Sequence, residues 1–145
     1  MRELHGYFIE ELEVGMTDSF AKTVTDADVS LFAGLSGDTN PVHINDEYAS
    51  TTPFKKRIVH GMFSAALIST VAGTRLPGPG AIYIDQSIEF KAPVFIGDTV
   101  VASLTVSSID EVRRRIYCKT DVHVGEKLVA TGKATFMVDR MNSVH

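Results

Sequence analysis

The stretch HGMFSAALISTVAGTRL, residues 60–76, decides the fold that this sequence predicts. Its apolar and small residues do not form a single stripe at helical spacing but continue nearly all the way round a helix. They are Met62, Phe63, Ala65, Ala66, Leu67, Ile68, Val71 and Ala72. A helix that is apolar on every side is expected to be buried on every side. The rest of a short chain must therefore wrap around it.

Four long strands, predicted after this helix, supply the wrapping. They cover about 81–90, 98–109, 113–124 and 127–139. In the second strand Ala102, Leu104 and Val106 alternate with more polar neighbours, which is the period of a half-buried strand. Gly125-Glu126 is a candidate two-residue hairpin turn. Long antiparallel strands after one buried helix predict a single α+β domain over residues 1–145, a hot-dog fold in which a curled antiparallel sheet surrounds one central helix.

The first half of the chain is punctuated by turn formers and short helical patterns. Thr25 and Asp28 have the spacing of a capping box at the start of a helix, and Gly37 is placed to end it. A second short helix is predicted at 46–50. The segment between the two helices, residues 36–43, is rich in turn-forming residues and contains Pro41, which favours a defined loop.

Composition excludes several classes of protein. Of 145 residues, 14 are Lys or Arg and 18 are Asp or Glu, for a net charge of −4, and 44% are hydrophobic. That apolar fraction is too high for a disordered chain. No apolar run is long enough to predict a membrane span. The mildly acidic balance and the shortness of the one basic run, Arg113-Arg114-Arg115, predict no nucleic-acid binding.

The single cysteine and the N-terminal segment both favour the cytoplasm. Cys118 has no partner for a disulfide, and it lies in an alternating strand pattern with no sign of a nucleophile. The first fifteen residues, MRELHGYFIEELEVG, contain acidic residues and no continuous apolar region, so they do not predict a secretory signal.

Two segments could carry chemistry. Asp38 and His43 lie five residues apart on the Pro-containing loop, and a carboxylate beside an imidazole is suited to moving protons at neutral pH. The alternative is that Asp38 and Asn40 only cap turns while His43 fills space. Gly61, at the start of the central helix, could present its N–H to a developing oxyanion, or it could serve only close packing. The histidine spacings predict no metal site.

Four motifs, in the same order, give the chain a resemblance to a known family. They are SGDTNPVH (36–43), RIVHGM (57–62), LPGPGAIYIDQSIEF (76–90) and PVFIGDTV (93–100). From about residue 14 to residue 139 the sequence resembles the MaoC-like family of (R)-specific enoyl-CoA hydratases, in its single hot-dog bacterial form. The resemblance implies that Asp38 and His43 are catalytic, that the Gly61 N–H binds the thioester carbonyl, and that Ser69 and Asn40 belong to the site. Many members carry an acid where this chain has Asn45.

The resemblance also implies a reaction and its partners. The expected reaction is reversible syn addition of water to trans-2-enoyl-CoA, giving (R)-3-hydroxyacyl-CoA, as in relatives that supply polyhydroxyalkanoate synthesis. Coenzyme A is then part of the substrate, and no metal or redox cofactor is expected. A homodimer or a dimer-based oligomer is expected because a lone curled sheet leaves an open edge. The alternatives are a 3-hydroxyacyl dehydratase acting on acyl carrier protein, a thioesterase, and a non-catalytic module that binds acyl thioesters.

Overall fold

A computed structural model describes residues 1–143, so Val144 and His145, the end of the predicted domain, lie outside the described residues. Five antiparallel strands form one sheet in the order β1-β3-β4-β5-β2. They are β1 (Thr17–Thr23), β2 (Ile82–Phe90), β3 (Thr99–Asp110), β4 (Arg115–Val124) and β5 (Lys127–Met137). The helices are α1 (Asp26–Ser36), α2 (Pro41–Ile44), α3 (Asp46–Ser50) and α4 (Gly61–Thr74). None of the helices in this part of the chain has the length and apolar character needed to cross a membrane.

The sheet curls around α4 and forms the core with it. Ile68, Val71 and Ala72 of α4 are buried in the same cluster as Leu104 of β3 and Phe136 of β5. Register shifts, which mark bulges that bend a strand, interrupt the pairing of β2, β3 and β4 with their neighbours. This arrangement confirms the α+β hot-dog class predicted from residues 60–76 and the strands after them.

The prediction that α4 is buried on every side is wrong in the single chain. Met62 is 58% exposed, and Ala66, Ser69 and Gly73, which follow it at spacings of four and three residues, are exposed as well. We call these four residues the open stripe of α4. The five-stranded sheet covers the opposite side of the helix, and α1, α2 and α3 leave this face exposed in the described part of the chain.

The structure confirms the local signals in the first half of the chain and adds one strand. The Asp28 N–H donates to Thr25 Oγ1 at 3.1 Å, and the Thr25 N–H donates to Asp28 Oδ2 at 3.0 Å, which is the predicted capping box. Gly37 ends α1 with φ of 79°. The strand β1, which pairs with β3 along the other edge of the sheet, was not predicted.

Cys118 is a buried residue of β4. Burial raises the pKa of its thiol to about 12, so the thiol stays protonated near neutral pH. The position in β4 confirms the predicted strand residue. The raised pKa agrees with the interpretation that the thiol is no nucleophile, because the thiolate is the reactive form of cysteine.

We expect the stability of the protein to depend on the charge of His5. Its Nε2 lies 3.0 Å from Asp139 Oδ2 and its Nδ1 lies 2.9 Å from the Gly6 main-chain oxygen. Only the imidazolium can donate to both acceptors, so the Gly6 carbonyl and the Asp139 carboxylate raise the pKa of His5 above its ordinary value of 6.5. The stabilisation is complete below pH 6.5 and is lost as the pH rises through the folded-state pKa.

Urea denaturation at a series of pH values checks this expectation against His5→Gln. The free energy of unfolding of the native protein should exceed that of His5→Gln most at about pH 6, and the difference should shrink toward about pH 9. A difference that grew with pH would contradict the assignment, since it would mean that the neutral imidazole is the form stabilised by folding.

Candidate functional site

The loop between α1 and α2 is built by side chains that bond to its own backbone. The Asp38 N–H donates to Ser36 Oγ at 3.1 Å, and the Asn40 N–H donates to Asp38 Oδ1 at 3.3 Å. Asn40 then caps α2, because its Oδ1 accepts from the Val42 N–H at 3.1 Å. The predicted turn-capping role of Asn40 is therefore present, and its effect is to direct the short helix α2 so that His43 points inward.

His43 is buried and has a defined tautomer. Its Nδ1 lies 2.7 Å from the main-chain oxygen of Ile58. A carbonyl oxygen can only accept, so Nδ1 carries the ring hydrogen when the imidazole is neutral. Nε2 is then unprotonated and available as a base. The tautomer of His43, which the sequence predicts to be catalytic, is therefore one that can accept a proton at Nε2.

A second histidine, His60, forms a cluster with Asp38 and His43, although the sequence predicts no catalytic role for it. His60 is only 2% exposed, and its Nε2 lies 2.9 Å from the main-chain oxygen of Asp38. Its ring stacks on that of His43 with centroids 3.8 Å apart and an interplanar angle of 25°. One nitrogen or carboxylate oxygen from each of Asp38, His43 and His60 lies within 4.8 Å of the others.

The geometry of these three residues suits proton transfer better than metal binding. The lone pair of an imidazole nitrogen lies in the plane of the ring, and two rings stacked at 3.8 Å do not direct their lone pairs to a common point. One nitrogen of each ring is also occupied by a main-chain carbonyl. Asp38, by contrast, is exposed, so its carboxylate is accessible to water and to a substrate.

Gly61 begins α4 next to His60, at the edge of a cavity of about 390 Å³. Its N–H donates to no acceptor among residues 1–143, as is usual for the first N–H groups of a helix. A Cβ at this position would lie 2.9 Å from the ring of Phe90, so the ring covers the first turn closely. The other lining residues are Phe54, Ile58, Val59, His60, Ser64, Lys91, Ala92, Pro93, Val94 and Val129.

The structure does not bring Ser69 to this cavity. Ser69 lies on the open stripe, eight residues and therefore about 12 Å along the helix axis from Gly61. Ser64, one turn after Gly61, is buried and lines the cavity instead. The spacing of three residues from Gly61 is the signal that could have distinguished the two serines.

A larger groove, of about 870 Å³, runs across strands β2 to β5. Its lining includes Ser87, Ser108, Lys119, Lys133 and Thr135, and none of its lining residues is a histidine. It therefore offers no imidazole beside a carboxylate. The smaller cavity is lined by His60 and Gly61, and His60 connects it to His43 by ring stacking and to the Asp38 main chain by a hydrogen bond.

Comparison with known proteins identifies the family of this chain. The family model described as the MaoC like domain matches residues 11–127. The chain belongs to the MaoC-like family. This MaoC-like chain is 53% identical over 132 residues to an (R)-specific enoyl-CoA hydratase of Rhodospirillum rubrum, covering 91% of this chain and 92% of the relative. It is 44% identical to a 3-hydroxybutyryl-CoA dehydratase of Methylorubrum extorquens, covering 95% and 88%.

The fold of the MaoC-like chain also matches a solved structure closely. The (R)-hydratase of Aeromonas caviae, described as involved in PHA biosynthesis, superposes with a TM-score of 0.86 at 41% identity. The match covers 89% of this chain and 98% of that structure.

The residues around Asn45, where the resemblance leads one to expect an acid, form a defined set of hydrogen bonds. Asn45 Oδ1 accepts from the Tyr48 N–H at 3.0 Å and so caps α3. The next residue, Asp46, accepts from Arg57 Nε at 2.7 Å, and Arg57 Nη1 also donates to Asp26 at 3.0 Å. Arg57 thus ties the start of α1 to the start of α3 around the loop that carries Asp38 and His43.

Proposed function

We propose that the chain catalyses the reversible, (R)-specific hydration of trans-2-enoyl-CoA to (R)-3-hydroxyacyl-CoA. The observation that carries the proposal is the state of His43. The Ile58 carbonyl occupies its Nδ1, which leaves Nε2 as the unprotonated nitrogen of the neutral ring, and one ring nitrogen of His43 lies within 4.8 Å of an Asp38 carboxylate oxygen. The names of the relatives that are 44–53% identical support a CoA thioester as substrate over an acyl carrier protein.

The proposed reaction uses three groups. The thioester carbonyl binds at the Gly61 N–H, where the start of α4 stabilises the negative charge of the enolate. Asp38 and His43 hold one water between them, so that its oxygen adds to C3 and a proton is delivered to C2 on the same face. The π bond between C2 and C3 supplies the electron pair of the new C2–H bond. Water is the only co-reactant, and we propose no metal or redox cofactor.

Hydration of crotonyl-CoA, followed by loss of the absorbance of the enoyl thioester, tests the proposal. Product stereochemistry is then read with dehydrogenases specific for the (R)- or the (S)-3-hydroxyacyl thioester. We expect turnover and an (R) product. An (S) product or no hydration would overturn the proposal, and free coenzyme A without hydration would indicate a thioesterase. Faster turnover of the same acyl group on acyl carrier protein would favour the alternative carrier.

We propose that the working form is a homodimer in which a second copy covers the apolar edge of the sheet. Strand β2 is a free edge, and Ile82, Ile84 and Phe90 on it are exposed. The other edge strand, TDSFAKT, is more polar. The open stripe of α4 is a second apolar surface without a cover. A partner over both surfaces would also bury Ser69. This burial is the simplest way for Ser69 to become part of an active site, as the resemblance implies.

Light scattering during gel filtration is expected to give twice the mass of the chain, or a multiple of that value. Ile84→Glu places a charge on the exposed edge of β2 and should shift the protein toward the monomer. The matched control is Val112→Glu, because Val112 is 88% exposed in the turn between β3 and β4. A monomeric native protein at micromolar concentration would contradict the proposal.

We expect a preference for acyl chains of short to medium length. The cavity at Gly61 has a volume of about 390 Å³ and two aromatic rings, Phe54 and Phe90, in its wall. Each methylene that fits contributes about 0.8 kcal/mol, so kcat/KM should rise roughly fourfold per carbon and fall once the tail meets the wall.

Trans-2-enoyl-CoA substrates of four to twelve carbons measure this preference, and Phe90→Ala should move the maximum to longer chains. A kcat/KM that still rises at twelve carbons in the native protein would contradict it.

We also propose a cellular compartment and a use for the product. We place it in the cytoplasm, in line with a single buried cysteine and no need for a disulfide. The (R)-3-hydroxyacyl thioester is proposed to enter polyhydroxyalkanoate synthesis, as the description of the Aeromonas caviae enzyme suggests for that protein.

A further inference from the structure

His60 contacts both members of the proposed catalytic pair, and it does so through two different kinds of contact. Its Nε2 lies 2.9 Å from the main-chain oxygen of Asp38, which can only accept a hydrogen bond. Its ring stacks on His43 with centroids 3.8 Å apart. The two contacts are independent, because the first uses the ring edge and the second uses the ring face.

The other ring nitrogen of His60, Nδ1, is buried without a hydrogen-bond partner among residues 1–143, which is unfavourable for folding. Buried polar atoms without a partner are uncommon in folded proteins, and each one asks for an explanation. An apolar side chain at this position would bury no unpaired nitrogen. The presence of a histidine at this position is therefore better explained by its two contacts, the hydrogen bond from Nε2–H to the Asp38 main chain and the ring stack on His43.

The position of His60 in the chain connects these contacts to the third part of the site. His60 is the residue immediately before α4, and its side chain makes no capping hydrogen bond to that helix. It is committed instead to the Asp38 loop, 22 residues earlier in the sequence. The same residue thus links the loop of Asp38, the ring of His43 and the Gly61 N–H at the start of the helix.

We infer that His60 is a positioning residue that holds Asp38 and His43 in register with the oxyanion-binding N–H of Gly61. The inference rests on the proposed hydratase function. His60 takes no proton from the substrate in this scheme; it keeps the water between Asp38 and His43 at the correct distance from a thioester bound at Gly61. Misplacement of reacting groups by about 1 Å can lower a rate by about 10²-fold.

Two substitutions separate the contacts. His60→Gln retains a side-chain N–H that can reach the Asp38 carbonyl but loses the stacked ring, whereas His60→Phe retains the ring but loses the donor. We expect each to lower kcat by about 10- to 100-fold with KM within about threefold of the native value, and His60→Ala to lose more than either. The matched control is His123→Gln in β4, since His123 makes no side-chain hydrogen bond or ring contact in the described part of the chain.

Circular dichroism and thermal melts establish that the variants are folded, and His60→Gln remains informative if His60→Ala does not fold. If both His60→Gln and His60→Phe keep kcat within about threefold of the native enzyme, the inference is wrong. A rise in KM at unchanged kcat would also overturn it, because that result would place His60 in substrate binding.

Long-range ¹H–¹⁵N NMR of the histidine rings provides a readout that does not depend on turnover. The native protein should show the Nε2–H tautomer for His60 and the Nδ1–H tautomer for His43, as their carbonyl partners require. An Nδ1–H tautomer at His60 would remove the contact to Asp38 and overturn the inference. Failure of the proposed function is recognised separately, by absence of hydration in the native protein.

Discussion

Asp38→Asn and His43→Gln are each expected to lower kcat for enoyl-CoA hydration by about 10²–10⁴-fold, which is the usual contribution of a general acid or base. Either change removes a group that exchanges a proton with the water, while the carbonyl of Ile58 and the backbone bonds of the loop remain in place. Because the two groups act on one water molecule, the double variant should be little slower than the slower single variant.

Steady-state rates with crotonyl-CoA measure the effect, and His43→Asn supplies an independent check on folding. The shorter asparagine amide in this variant can donate to the Ile58 carbonyl as the imidazole Nδ1 does. The variant should therefore be folded and as inactive as His43→Gln, although it loses the ring stack on His60 and with it some stability. If both single variants retained more than about a tenth of the native rate, the pair would not be the catalytic pair.

Gly132→Ala is expected to destabilise the fold by about 3 kcal/mol or more, because the added methyl group meets backbone that cannot easily move. Gly132 lies in β5 opposite Ile88 of β2. A Cβ at this position would overlap the main-chain oxygen of Ser87 and lie 2.7 Å from its carbonyl carbon. Strand β2 would have to shift, and with it Phe90, which covers Gly61 at the site.

Thermal and urea unfolding measure this effect, with an expected fall in Tm of about 10 °C. The matched control is Gly34→Ala, since Gly34 lies inside α1 and a Cβ there would meet no atom within 4 Å. That variant should be more stable than the native protein by up to about 1 kcal/mol, because alanine favours the helix. Equal stability of Gly132→Ala and the native protein would mean that β2 and β5 do not approach as closely as described.

The sequence predicts those parts of the fold in which a short-range signal, spanning a few residues, matches the element that the folded chain contains. The capping box at Thr25, the alternation through Leu104 and the turn at Gly125 each act over a few residues, and the structure contains all three. Strand β1 could not be predicted, because TDSFAKT is partly exposed and lacks a regular apolar alternation. It is a strand because β3 offers it a complete row of backbone partners.

The site could be predicted only in part, for a related reason. Asp38 and His43 are close in sequence, so their spacing and the proline between them carried the prediction. His60 is far from both in sequence, and a ring stack or a hydrogen bond to a main-chain oxygen leaves no pattern in the sequence. The resemblance to a family selected Ser69, and in the single chain this residue lies exposed on the open stripe, away from the residues that line the cavity at Gly61.

The acceptor that fixes the tautomer of His43 belongs to a peptide bond and not to a side chain. Whichever amino acid occupies position 58, the carbonyl oxygen is still there, so no ordinary point mutation at this position deletes it. Ile58 is also one of the residues that line the cavity beside Gly61. Position 58 can therefore vary in its side chain, and with it the wall of the cavity, while its main-chain oxygen continues to hold Nδ1 of His43. If the proposed function holds, substitutions at position 58 should alter chain-length preference more than kcat. Proline is the exception, because it would remove the N–H that Ile58 donates to the Val42 carbonyl at 3.2 Å.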